Sequence, residues 1–180
     1  MRHFAVSVVG RDRPGIAAAV SEVLLEHRGN IEDSQMTILR GHFTIMLIVS
    51  IADDVDAERL QSDLAAVEKR LGLEAVVVNE VTEMEPSAQA VPTHIVSVYG
   101  VDHPGIVYAV TSSLARQQIS ITDLTTRLIS PHGSEPLYAM MLEVAVPSGL
   151  SAEKVEESLR AVREREGVEL TIRELEQDAL

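Results

Sequence analysis

The chain has 180 residues, 46% hydrophobic and 3% aromatic, with Lys+Arg 15 against Asp+Glu 28 and a formal charge of −13. That composition belongs to a globular chain, and its acidity argues against direct DNA or RNA contact, which rests on Lys and Arg neutralising phosphates. The absence of cysteine excludes disulfides, thiolate nucleophiles and cysteine-type zinc sites.

The N-terminus enters a strand pattern at once, without a signal-peptide core. The longest apolar run, around Ile45–Val49, is too short for a bilayer. A cytoplasmic location without membrane contact is therefore expected. Residues 2–10 form an apolar, Val-rich run closed by Gly10, a buried-strand signal. Arg11-Asp-Arg-Pro-Gly15 is a turn, with Asp12 as the expected N-cap and Pro14 in the first helical turn. Ile16, Val20, Val23, Leu24 and His27 recur at helical spacing up to about Arg28, and Gly29-Asn30 stops the helix. From Asn30 to Arg40 the spacing is that of a strand. Ile31, Asp33, Gln35, Thr37 and Leu39 share one face, and Glu32, Ser34, Met36 and Ile38 the other.

Gly41-His42 turns the chain into Phe43–Ile51, the strongest strand signal and an expected central strand. Leu60, Leu64, Val67 and Leu71 mark a second amphipathic helix ended by Gly72, and Leu73–Val81 gives a fourth strand. The order β-α-β-β-α-β is the ferredoxin-like plan, with two helices on one face of an antiparallel sheet.

Residues 84–93 are polar, carry two prolines and lack periodicity, so they are assigned as a linker between a first domain at 1–83 and a second at 94–180. The second half repeats the plan, with strands at 95–100, 119–129, 138–146 and 168–175 and helices at 104–117 and 151–166. Its hairpin loop, 130–136, is longer than Gly41-His42. The fold class is thus α+β, two ferredoxin-like βαββαβ domains. The repeat is sharpest where Val6–Val20 returns as Val96–Val110, each carrying Gly-x-Asp-x-Pro-Gly-Ile.

Catalytic machinery is not evident. The six histidines show no i, i+4 metal spacing, neither turn is a Walker-type loop, and neither carries Gly-x-Gly-x-x-Gly. His103 is the one histidine in a repeated turn, and its counterpart is Arg13, so a shared catalytic role fails. No enzymatic activity, cofactor or metal is expected. The C-terminal Glu/Arg-rich helix reads as a solvated face, and Met36, Met46, Met84, Met140 and Met141 as core, edge or linker residues. Tyr99 is the better of the two tyrosines flanking the second loop to shape a pocket, with core packing equally favoured.

Taken singly, Gly10, Asp12, Pro14 and Gly15 fit a purely structural turn. The same strand-turn-helix aims helix-start N–H groups at whatever lies above it, which suits a carboxylate, while Asp12 or Asp102 suits an ammonium. From spacing alone the two accounts stand level.

Gly10-x-Asp12-x-Pro14-Gly15-Ile16 followed by Asn30-Ile31, and Gly100-x-Asp102-x-Pro104-Gly105-Ile106 followed by Ser120-Ile121, resemble the ACT domain, a βαββαβ module that binds amino acids and other small molecules. The tandem arrangement over nearly the whole chain resembles the glycine cleavage system transcriptional repressor group. The resemblance implies side-by-side pairing into an eight-stranded sheet, with ligands at module interfaces. Asp12, Arg13, Pro14, Gly15 and Ile16 would form one loop wall; Asp102, His103, Pro104, Gly105 and Ile106 would form the other. Asn30-Ile31 and Ser120-Ile121 would complete the sites from the partner's second strand. Asn30 can donate and accept where Ser120 offers only a shorter hydroxyl, so the two sites should be unequal. The implied ligand is a small amino acid, glycine or serine first, in a homo-oligomer that acts through a protein partner.

Overall fold

The computed structural model describes residues 1–81, 90–129 and 135–175. The chain divides into two compact units, Met1–Glu85 and Pro86–Leu180. The expected linker at 84–93 and the long hairpin loop at 130–136 fall largely outside the described residues.

The first unit runs β1 (Arg2–Arg11), α1 (Ile16–Glu26), β2 (Asn30–Leu39), β3 (His42–Ile51), α2 (Ala57–Leu71) and β4 (Ala75–Val81). The second runs β5 (His94–Val101), α3 (Ile106–Arg116), β6 (Ser120–Ile129), β7 (Leu137–Ala145), α4 (Ala152–Glu166) and β8 (Glu169–Glu174). Each unit holds a four-stranded antiparallel sheet, ordered β2-β3-β1-β4 and β6-β7-β5-β8. The ferredoxin-like plan is present twice.

Period-two burial fixes which face of each sheet meets the helices. Phe4, Val6 and Val8 of β1 pack with Leu47 and Val49 of β3 against Ile16, Val20 and Leu24 of α1 and Leu60 and Leu64 of α2. The second core repeats this with Val96, Val98, Ile106, Leu114, Leu142, Val155 and Leu159. Fully burying each such side chain is worth about 1.5–3 kcal/mol. A polar contact also ties each helix pair. His27, buried at the end of α1, lies 2.8 Å through Nε2 from Asp63 Oδ2 on α2. In the second unit Gln117 reaches the Ser158 hydroxyl instead.

Three local expectations are corrected. Asp12 does not cap α1, and Pro14 precedes the helix. The helix starts from Gly15 at φ 98°, with no side-chain cap, and the Ala19 N–H donates to the Gly15 carbonyl. A left-handed residue at the cap places Asp12 too far back to reach the first-turn N–H groups.

The alternation along β2 is also interrupted. A bulge between Ile31 and Asp33 shifts the register, so Ile31, opposite Val49, joins Ser34, Met36 and Ile38 on the helix side. The same bulge lies between Ile121 and Asp123. One extra residue reverses every side chain beyond it.

Among the methionines, Met140 is core and Met36 lies on an edge strand. Met46 and Met141, 52% and 53% exposed, stand on inner strands but face away from the helices. They are neither core nor edge, because each falls one residue out of phase with its buried neighbours.

Helices α1 and α3 close through left-handed residues that are not glycine. Arg28 at φ 53° and Gln118 at φ 56° are followed by residues whose N–H groups donate to the Leu24 and Leu114 carbonyls. This is the six-to-one bond of a Schellman cap, where glycine carries no steric penalty. Gln118→Gly is expected to raise stability by about 0.5–1 kcal/mol, read as a higher urea midpoint at unchanged m-value.

Candidate functional site

Each unit places its repeated loop between the end of its first strand and the start of its first helix. The backbone makes these loops possible at two glycines of different kinds. Gly15 and Gly105, at φ 98° and 113°, take a conformation that side chains resist. Gly10 and Gly100 serve close packing instead. A Cβ there would stand 3.2 Å from the backbone Cα of Leu73 or Val168.

The loop aspartates are held through their backbone. The Asp12 N–H donates to the Gly41 carbonyl at 2.9 Å, and the Asp102 N–H to the Pro136 carbonyl at 3.0 Å. In the first loop Arg11, Asp12, Arg13, Pro14 and Gly15 are all exposed. Among the described residues nothing lies within 4 Å of where a Gly15 Cβ would point. Two arginines beside one aspartate leave this exposed corner net positive, above a helix start with no acidic residue in its first turn.

The second loop differs. Asp102, Pro104 and Gly105 are exposed, whereas His103 is half-buried. Its ring lies 2.9 Å through Nε2 from the Glu166 carbonyl oxygen and 3.2 Å through Nδ1 from the Pro104 carbonyl oxygen. Beside it is an open depression lined by the loop with Val107, Tyr108 and Tyr138. Burial pushes the Tyr138 phenol above its ordinary range, so it stays neutral there. Tyr99 does not line this depression. Its neighbours Val98 and Gly100 turn toward the helices, which puts Tyr99 on the open face of the sheet, 48% exposed.

The predicted site residues separate into groups. Ile16 and Ile106 are 1% and 2% exposed and belong to the cores, so only their backbone faces the loop. Asn30, Ile31, Ser120 and Ile121 are exposed at the starts of the edge strands. The fold does not bring them to the loop of their own unit. Asn30 pairs with Ser50, which lies opposite His3, whereas the loop leaves β1 at Arg11, opposite His42. Eight residues of strand separate the two ends, roughly 26 Å at the usual rise. In the second unit Ser120 stands by Ala145, and the loop leaves beside Leu137.

The sequence reading missed Tyr138 and Glu166, and ranked Tyr108 below Tyr99, whereas Tyr108 lines the depression and Tyr99 does not. Tyr138 had a legible signal, lying directly after the hairpin that meets the loop. Among the described residues no three His, Asp or Glu side chains gather as metal ligands, and no helix is long and apolar enough to cross a membrane.

Comparison with known proteins matches a family model described as ACT domain over residues 2–78 and again over 93–173. A UPF0237 protein of Methanopyrus kandleri is 40% identical over 81 residues, 44% of this chain and 90% of that one. That relative has the length of a single unit. Among the solved structures it resembles, two align over 97% of the chain. One, an unknown protein from Galdieria sulphuraria, has TM-score 0.78 and 31% identity, covering 97% of this chain and 98% of that one. The other, described as a candidate glycine cleavage system transcriptional repressor, has TM-score 0.73, 21% identity and 97% coverage of each, a likeness of fold.

Proposed function

The chain belongs to the ACT domain family, and from that membership we propose that it is an amino-acid-responsive regulatory protein, not an enzyme. Its domains run over 1–83 and 94–180, joined by 84–93. The observation that carries the reading is the open, net-positive first loop, where Arg11 and Arg13 flank Asp12 just ahead of the left-handed Gly15 at an uncapped helix start. A ligand carboxylate gains there from the helix dipole, about 0.3–1 kcal/mol when exposed and more when partly buried. Asp12 is free to meet the ammonium.

The separation of each loop from its own Asn30 or Ser120 supports sites completed by another module. Edge strands β2 and β6 are exposed along their whole length, with Met36 at 50% and Leu124 at 40%, which supports pairing through them into an eight-stranded sheet. Ligand joining two modules would shift the population toward one pairing, and the altered surface would engage a protein partner. Transcriptional control, as in the repressor-like reading, would then act through that partner in the cytoplasm, since a charge of −13 disfavours direct DNA contact.

A thermal-shift screen of the twenty amino acids, glycine and serine first, tests this. Ligand at roughly 100 times its Kd stabilises by about 2.7 kcal/mol. Asn30→Ala is expected to abolish the shift and Ser120→Ala to reduce it less. No shift with any amino acid, together with a stable protein complex in pull-down, would leave a ligand-independent scaffold instead.

A further inference from the structure

His103 and Glu166 join the second loop to the end of α4. Carbonyl oxygens only accept, so the 2.9 Å and 3.2 Å contacts of His103 are both hydrogen bonds only when both ring nitrogens carry protons. The Glu166 carbonyl also ends α4, where the helix dipole favours a cation.

The Glu166 side chain returns to the same place. Its Oε2 is 4.0 Å from His103 Nδ1, its Oε1 is 2.7 Å from Arg165 Nε, and the side chain is only 14% exposed. That Oε2 also stands 3.9 Å from where a Cβ on Gly105 would point.

Among the described residues the first unit has no counterpart of the Glu166 carboxylate at the equivalent corner. Gly72 and Gly167 cap the second helices, so Leu71 takes the place of Glu166. Arg13 takes the place of His103, with a guanidinium nitrogen 3.7 Å from the Cβ position of Gly72.

We infer that the second loop is latched from within: His103 ties it to α4, and the Glu166 carboxylate stands beside Gly105, at a place that in the first loop is open to a ligand carboxylate. Its ligand consequence rests on the amino-acid-binding reading above; the latch does not. The two half-sites then differ at the loop as well as at Asn30 and Ser120.

The latch depends on pH. The groups facing His103 are Asp102 from the loop and Glu166, itself paired with Arg165, from α4; neutral Tyr138 on β7 adjoins Asp102. The Glu166 carbonyl first, then the Pro104 carbonyl, raise the imidazole above its ordinary value, and the Glu166 and Asp102 charges add to this. A raised folded value means the latch is fully present below the ordinary histidine value of about 6.5 and is lost as pH climbs through the raised one. The second loop opens on the alkaline side.

The test uses the full chain, with His103 ring titration by NMR and amide hydrogen exchange over residues 102–107. Wild type should titrate above the ordinary value, with exchange in the loop rising on opening. Glu166→Gln should lower the midpoint, and His103→Gln should raise loop exchange severalfold at pH 6. His103→Arg, which copies the first loop, should keep exchange low at every pH. An ordinary midpoint with exchange unchanged in both Gln variants overturns the latch. Titrating glycine and serine decides the ligand consequence. Perturbation confined to the first loop in wild type, extending to Gly105 in Glu166→Gln, supports it. Equal perturbation of Gly15 and Gly105 in wild type at pH 6 overturns it. Binding to neither form removes the amino-acid reading while the exchange data still decide the latch.

Discussion

Gly100→Ala is expected to destabilise the second unit by about 1–3 kcal/mol, the usual cost of forcing an extra methyl into a packed core. The new Cβ would stand 2.7 Å from Val168 Cγ1 and 3.2 Å from the Val168 Cα. Valine is stiff at χ1, and the Cα is backbone, so neither neighbour yields cheaply. Gly10→Ala is expected to cost less. Its nearest neighbour, at 2.9 Å, is the terminal Cδ2 of Leu73, which can turn aside, although the Leu73 Cα remains at 3.2 Å. Val168→Ala should relieve part of the Gly100→Ala defect, giving a favourable coupling in the double-mutant cycle. Urea denaturation of the four proteins measures it, and a neutral Gly100→Ala would contradict the close approach.

The same glycine marks how far the sequence could be read. Alternating Phe4, Val6 and Val8, and the helical spacing of Leu60, Leu64 and Val67, were sufficient for the twofold βαββαβ plan because burial follows those periods directly. Gly10 and Gly100 were legible as repeated, but not for their reason. Their close neighbours, Leu73 and Val168, follow them by more than sixty positions, and no local pattern carries that approach. The bulges after Ile31 and Ile121 were hidden for a different cause. They contain no glycine or proline, and strict alternation read across them assigns Ile31 to the wrong face. Asp12 was misread as a cap because Asp-x-Pro favours that reading until Gly15 is seen to be left-handed.

The candidate site was legible in its residues and less so in its geometry. The loop string located the exposed corner, but the distance from Asn30 to that corner depends on strand register. Glu166 gave no signal at all. It is one acidic residue in a helix full of them, and only the tertiary return of α4 to the second loop sets it apart.

Ile106→Ala is expected to cost about 2–5 kcal/mol, and Ile106→Val only about 0.5–1.5, with the same ordering at Ile16. Both isoleucines belong to the repeated string and were expected in the ligand wall. At 1% and 2% exposure their side chains instead fill the space between the first helix and the sheet, with Val8 and Leu24 in one core and Val98 and Leu114 in the other. A residue needed for ligand contact and one needed for packing respond differently to this series. Packing makes stability fall with each carbon removed and leaves ligand affinity in Ile16→Val near wild type, because the loop backbone is unchanged. Side-chain contact would instead lower affinity in Ile16→Val while stability held. Denaturation curves alongside an amino-acid titration separate the two, and the burial places the whole effect on stability. The repetition of Ile beside Pro-Gly then follows from mechanics. A left-handed glycine fixes where the helix begins, and the next side chain must anchor that start in the core if the loop above it is to keep its shape.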